Sequence, residues 1–164
     1  MIQNRKGSVI FDVASSASDD LDPEDLTVHY KEEFVLVDES LAPRFLKAPH
    51  ITSGYRVHFS LRLCTRSLFH VHNETGNVWS HLLGAIVFVA LMARTALDVR
   101  TVWSEAASKA LPLSATDCVV LFAFNICATA CLGFSSVYHL YGCHNAAMHQ
   151  RLYRFDLLGI CLLV

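Results

Sequence analysis

From Cys118 to Tyr138 the chain runs for 21 residues, CVVLFAFNICATACLGFSSVY, without a formal charge. A helix needs about 20 residues to cross roughly 30 Å of hydrocarbon, and a backbone in lipid has to satisfy its own hydrogen bonds, so this run predicts a membrane-spanning helix over 118–139. A second run, Val78 to Leu97, is long enough for another, although its uninterrupted apolar stretch is only the 12 residues from Leu82 to Ala93. It spans if Arg94 snorkels to one interface and His81 lies near the other. A third apolar stretch, Leu157 to Val164, follows Arg151, Arg154 and Asp156 and covers only eight residues, which reads as the start of a third span over 156–164. The expected fold class is all-α, a polytopic transmembrane helical bundle of which this chain carries the N-terminal portion.

Composition agrees with that reading. Hydrophobic residues make up 53% and charged residues 17%, with a mean hydropathy of +0.37, which is more apolar than an ordinary soluble domain. The 13 Lys and Arg against 15 Asp and Glu give a net charge of −2 and exclude a nucleic-acid binder that relies on a basic surface. Four of the six cysteines, Cys118, Cys127, Cys131 and Cys161, lie inside apolar runs and read as small hydrophobes, so reduced thiols are expected. The opening MIQNRKGSVIFDVASSASDDLDPEDL holds no apolar core of a signal peptide; residues 1–40 read as a polar, disordered N-terminal segment.

Between that segment and the first span lies a juxtamembrane stretch, 41–77, punctuated by Pro43, Pro49 and Gly54. Upstream, Val35 to Val37 fits a short strand or nothing regular. Val57, Leu61, Cys64, Leu68 and Val71 recur at helical spacing, with Arg62, Arg66 and His70 on another face. That is the pattern of an amphipathic helix lying on a membrane surface, and a helix packed on protein fits the periodicity equally well. Lys and Arg bias sets orientation: Arg56, Arg62, Arg66, Arg151 and Arg154 fall on one side, against Arg94, Arg100 and Lys109 on the other. The N-terminus and the loop 140–155 are therefore expected in the cytosol and the loop 98–117 outside it. The sequon Asn73-Glu74-Thr75 is then expected to be unglycosylated.

Polar residues in or beside the spans carry the chemical information, because burying them in lipid without a partner is costly. Ser135 and His139 share a helical face at i and i+4, and the 16-residue loop Leu140 to Phe155 is expected to return Asp156 to the same side. An imidazole can bind zinc, a carboxylate can orient a metal-bound water, and a hydroxyl can hydrogen-bond that water. Equally, His139 can be an interfacial anchor, Ser135 a packing residue and Asp156 a charge at a helix start. A nucleophile triad lacks the Gly-x-Ser-x-Gly turn that would support it. Glu74, Asn77 and His81 form a second stripe at i, i+3 and i+7, with Trp79 suited to the aromatic belt. His70-x-His72 with Glu74, and His139 with Cys143, His144 and His149, can each be drawn as a metal site. The first fits solvated surface histidines as well. In the second, helical spacing brings Cys143 but not His144 beside His139.

The ordered motifs are similar to a known family. Arg62-Leu-Cys-Thr-Arg-Ser-Leu-Phe69 followed by Asn73-Glu-Thr-Gly-Asn-Val-Trp-Ser-His-Leu-Leu-Gly84 resembles the approach to the first helix of the progestin and adipoQ receptors. Pro43-Arg-Phe-Leu46 and Ile51-Thr-Ser-Gly-Tyr-Arg56 resemble that family's juxtamembrane segment. Ser135-Ser-Val-Tyr-His139, Cys143-His144 and Phe155-Asp-Leu-Leu-Gly-Ile160 resemble its second- and third-helix motifs, with Leu157 replacing the usual aromatic.

The resemblance implies a seven-helix bundle with a cytosolic N-terminus and a zinc site near the cytosolic face, in a Golgi or plasma membrane. It implies His139 as a zinc ligand, Ser135 as its neighbour and Asp156 as the carboxylate that orients zinc-bound water. Two further ligands would come from a His-x-x-x-His motif in a seventh helix, which this chain does not contain. The function implied is a multi-pass receptor-family protein in signalling, taking a lipid or protein ligand or recruiting a cytosolic signalling protein. The alternative is a zinc-dependent lipid amide hydrolase of the ceramidase type, inactive in this chain.

Overall fold

The computed structural model describes residues 30–102 and 114–164. Most of the expected disordered segment, and much of the loop between the first two spans, lies outside the described residues. Four helices follow in order: α1 Leu61–Ser67, α2 Thr75–Val102, α3 Ala115–Tyr141 and α4 Ala146–Leu163, preceded by single 3-10 turns at Glu39–Leu41 and Arg44–Leu46.

Two of these helices are long and apolar enough to cross a membrane, over Thr75–Val99 and Thr116–Tyr141. They contain the windows 78–97 and 118–139 that hydropathy predicts and extend them by about a turn or less at most ends. Polar residues account for the extra length. Ser114 opens α3 with a capping box: its hydroxyl accepts from the Asp117 main-chain N–H at 3.1 Å while the Asp117 carboxylate accepts from the Ser114 N–H at 3.0 Å. In α2, Arg94 is exposed and pairs with Asp98 one turn on at 2.9 Å, so the cation that interrupts the apolar run is compensated on its own helix.

The helices form an antiparallel meander. Phe88 meets Phe124, Gly84 meets Leu132 and Val78 meets Ser136 across α2 and α3, while Phe155 meets Phe134 and Gly159 meets Cys131 across α4 and α3. Small residues let the backbones approach: a Cβ added at Gly159 would stand 2.7 Å from the Cys131 Cα. The Ser136 hydroxyl donates to the Val78 carbonyl at 3.3 Å. Outward faces carry Ile86, Val87, Val89, Leu91, Val119 and Val120, all exposed. An apolar exterior around a pair of long helices is what lipid solvates.

Two boundaries differ from the sequence expectation. The stretch 140–155 is not a loop: α4 begins at Ala146, where the Asn145 side chain accepts from the Met148 N–H at 2.8 Å, leaving a connection of Gly142 to Asn145. Arg151 and Arg154, which argued for a loop, sit exposed on the helix surface, and surface charge does not break a helix. Asp156 therefore lies about three turns inside α4 rather than at its start.

Likewise the helix expected across Val57 to Val71 is confined to Leu61–Ser67, capped by the Ser60 hydroxyl, which accepts from Leu63 N–H at 3.4 Å. Residues before it are extended, with single bridges from Lys31 to Phe59 and from Val37 to Tyr55 and with His58 in the left-handed region at φ 52°. The apolar stripe is consequently divided: Val57 and Cys64 are buried, whereas Leu61 and Val71 are exposed.

This juxtamembrane unit packs on the end of the bundle where α2 begins and α3 ends. Phe59, Leu63, Cys64 and Cys143 form one small core, and Ala42, Tyr55 and Val57 another. The His58 N–H donates to the Cys143 carbonyl at 3.0 Å, and the Trp79 indole donates to the Leu68 carbonyl at 2.9 Å. Trp79, expected as an interfacial anchor, thus fastens α1 to α2.

Candidate functional site

Antiparallel packing sets the first turn of α2 beside the last turn of α3, and this joins the two polar groups that are separate in the sequence. His139 Nδ1 lies 3.0 Å from Glu74 Oε2, and the same carboxylate oxygen accepts from the Asn77 amide at 2.6 Å. Burial pushes the Glu74 carboxyl up, but the hydrogen bonds from His139 and Asn77, aided by the charges of His139 and Arg56, outweigh it and hold Glu74 below its ordinary value. The His81 ring stands 5.5 Å from that of His139, centroid to centroid. All three members of the Glu74, Asn77, His81 stripe therefore gather around His139.

Ser135 is buried one turn before His139. Asp156 is half-buried on α4, beside the α3 segment that carries Phe134. Ser135 and His139 lie one turn apart near the end of α3, and Asp156 lies on α4 next to Phe155, which meets Phe134. The carboxylate that touches His139 is Glu74, a contact that spacing within either helix does not reveal.

Below the helix end, a cavity of about 140 Å³ is lined by residues that include Arg56, Glu74, Tyr138, His139, Cys143 and His149. Arg56 is 2% exposed and aims its guanidinium at the end of α3, donating to the carbonyls of His139 at 2.7 Å and Leu140 at 3.0 Å and to the Ser67 hydroxyl at 2.7 Å. A buried cation thus meets the unsatisfied carbonyls and the negative end of the α3 dipole. Sequence reasoning counts Arg56 only as an orienting charge, since nothing in its spacing marks it as a cap. His72 is buried beside it; burial first, then the Arg56 charge, lowers its pKa to about 4.

The remaining candidate ligands are engaged locally. His72 Nδ1 accepts from the Glu74 N–H at 3.1 Å, and His70 Nδ1 lies 3.1 Å from the Arg66 carbonyl oxygen. His144 Nδ1 is 2.8 Å from the Phe59 carbonyl oxygen, and the His149 ring lies 3.3 Å from both the Tyr138 hydroxyl and the Gly142 carbonyl oxygen. Among the described residues no three His, Cys, Asp or Glu side chains gather in a way that could hold a metal ion. His81 and His139 approach each other here, but with no third ligand gathered beside them the described residues do not by themselves fit a zinc ion.

Comparison with known proteins agrees with this architecture. The profile of the family described as Haemolysin-III related matches residues 69–164. The chain is 36% identical over 109 residues to the adiponectin receptor protein of Drosophila melanogaster, covering 64% of this chain and 21% of that protein. It is 37% identical over 119 residues to progestin and adipoQ receptor family member 3 of Homo sapiens, covering 70% and 34%. With human membrane progestin receptor alpha the identity is 36% over 134 residues, covering 80% and 35%. The chain thus spans between about a fifth and a third of the length of these relatives. With its two long apolar helices, it is an integral membrane protein and belongs to the haemolysin-III-related family that includes the progestin and adipoQ receptors.

Proposed function

We propose that the whole protein is a multi-pass, receptor-family signalling protein whose cytosol-facing site is built on His139 and takes a zinc ion together with ligands outside this sequence. The Glu74–His139 contact carries the reading. A carboxylate on Nδ1 fixes the imidazole tautomer and leaves Nε2 to a ligand, which is how metal-binding histidines are commonly oriented. In this reading Ser135 and Asp156 are the hydroxyl and carboxylate that hydrogen-bond a water or a polar ligand group beside His139. The receptor names of the relatives favour recognition of a lipid or protein ligand, with relay to a cytosolic signalling partner.

Elemental analysis tests the metal. Purified in detergent, the full-length protein should hold about one zinc per molecule, and His139→Ala should remove it, since a catalytic or regulatory zinc generally needs three protein ligands. The 164-residue chain alone should hold well under one equivalent. Stoichiometric zinc retained by full-length His139→Ala would overturn the assignment.

A further inference from the structure

Cys64 lies in α1 and Cys143 just past the end of α3, 79 residues later, yet their sulfurs are 3.5 Å apart. Both are free thiols, with 0% and 3% exposure. Burial does not isolate Cys143, because it lines the 140 Å³ cavity together with Arg56 and His139, a space of several water volumes. Cys64 lies behind it. The Arg56 guanidinium favours the charged form of both sulfurs. The contact with Cys64 foremost, then Arg56, holds the Cys143 thiol below its ordinary value, while the same contact and burial push the Cys64 thiol up. A thiol eased toward ionisation that a small molecule can reach, backed by a second thiol, is the arrangement of redox-sensing cysteine pairs.

We propose that Cys143 and Cys64 are a peroxide-closed pair, in which Cys143 is oxidised from the cavity and Cys64 resolves it, stapling α1 to the end of α3. Hydrogen peroxide is the oxidant. The Cys143 thiolate attacks one peroxide oxygen, the O–O bond breaks, and the departing hydroxide leaves as water, so that Cys143 becomes a sulfenic acid. The Cys64 sulfur then attacks the Cys143 sulfur, the S–O bond breaks, and a second water carries away the Cys64 proton. Two thiols lose two electrons and the peroxide gains them. The sulfurs have to close from 3.5 Å to about 2.0 Å, a displacement on the scale of a side-chain rotation. Closure would fix the juxtamembrane unit beneath His139, and a dithiol reductant would release it. This inference is independent of zinc binding.

The test uses the full 164-residue chain in lipid nanodiscs, exposed to hydrogen peroxide, blocked with N-ethylmaleimide and analysed by peptide mass spectrometry. The expected result is a linked peptide pair containing Cys64 and Cys143, loss of most alkylation at both, and recovery with dithiothreitol. In Cys64→Ser, dimedone should trap Cys143 as a sulfenic acid; in Cys143→Ser, Cys64 should stay a free thiol. Full alkylation of both cysteines in the unmutated chain after peroxide overturns the proposal. So does linkage of Cys143 to a different cysteine, or sulfenic acid on Cys64 in Cys143→Ser.

Discussion

Arg56 holds the main chain of His139: its guanidinium reaches the His139 carbonyl at 2.7 Å, while the imidazole of the same residue meets Glu74 at 3.0 Å. The residue at the centre of the candidate site is thus fixed twice, through its backbone from the juxtamembrane unit and through its ring from the start of α2.

Removing that cap should be costly. Arg56→Ala leaves two helix-end carbonyls and the Ser67 hydroxyl without their buried charged partner, an expected loss of about 3 kcal/mol. Arg56→Lys should recover only part, because an ammonium lacks the planar fork that bridges adjacent carbonyls. Thermal unfolding in detergent should rank the native chain above Arg56→Lys and Arg56→Ala lowest; equal midpoints for all three would refute the capping role.

Helix approach is tested at two glycines with opposite expected signs. Gly159→Ala places a methyl 2.7 Å from the Cys131 Cα and should destabilise the α3–α4 contact by about 1–3 kcal/mol. Gly133→Ala has nothing within 4 Å and should be neutral or stabilise α3 by up to ~1 kcal/mol through helix propensity. Melting midpoints of the two variants falling in the reverse order would contradict the packing described.

Acid should weaken the fold through His72. Its ring stays neutral in the folded chain until about pH 4, whereas the unfolded ring takes up its proton near 6.5, so the unfolded state binds more protons between those values and stability falls as the pH drops. The loss should be of order 2 kcal/mol, with Glu74 adding a further loss below the ordinary carboxylate range as its lowered group finally protonates. Chemical denaturation from pH 7 to pH 4.5 should show the decline, and His72→Gln should flatten most of it. A decline of undiminished slope in His72→Gln would place the titrating group elsewhere.

Orientation can be read from two exposed serines. Ser40→Cys and Ser114→Cys lie before α2 and at the start of α3, so a membrane-impermeant maleimide should label them from opposite faces of sealed vesicles, position 40 from the cytosolic face. Labelling of both from one face would remove α2 as a span.

The spans were legible because length and absence of charge are local properties, and lipid tolerates few alternatives to a helix over such runs. Three features were not. The start of α4 is polar and basic, and its helical nature depends on the Asn145 cap and on packing against α3 rather than on an apolar run. Around α1, the extended residue Val57 happens to continue a helical spacing, so periodicity merged two kinds of backbone. Finally, Glu74 and His139 each stood out as polar residues at a span end, but their pairing rests on the register between α2 and α3, and register between helices has no signature in either helix alone. Asp156 was expected at the start of a helix, and the polar, basic residues from Ala146 onward hid the three turns that precede it.

The juxtamembrane unit is held by partners made much later in synthesis. Arg56 waits for His139, 83 residues downstream, Phe59 for His144, 85 downstream, and Tyr30 for Asn145, 115 downstream. At ~5–20 residues per second, that is roughly 4–17 s during which Arg56 has no buried site to enter. The segment translated before the spans therefore settles only after α3 has been made, and its docking reports that the hairpin of α2 and α3 has already been inserted.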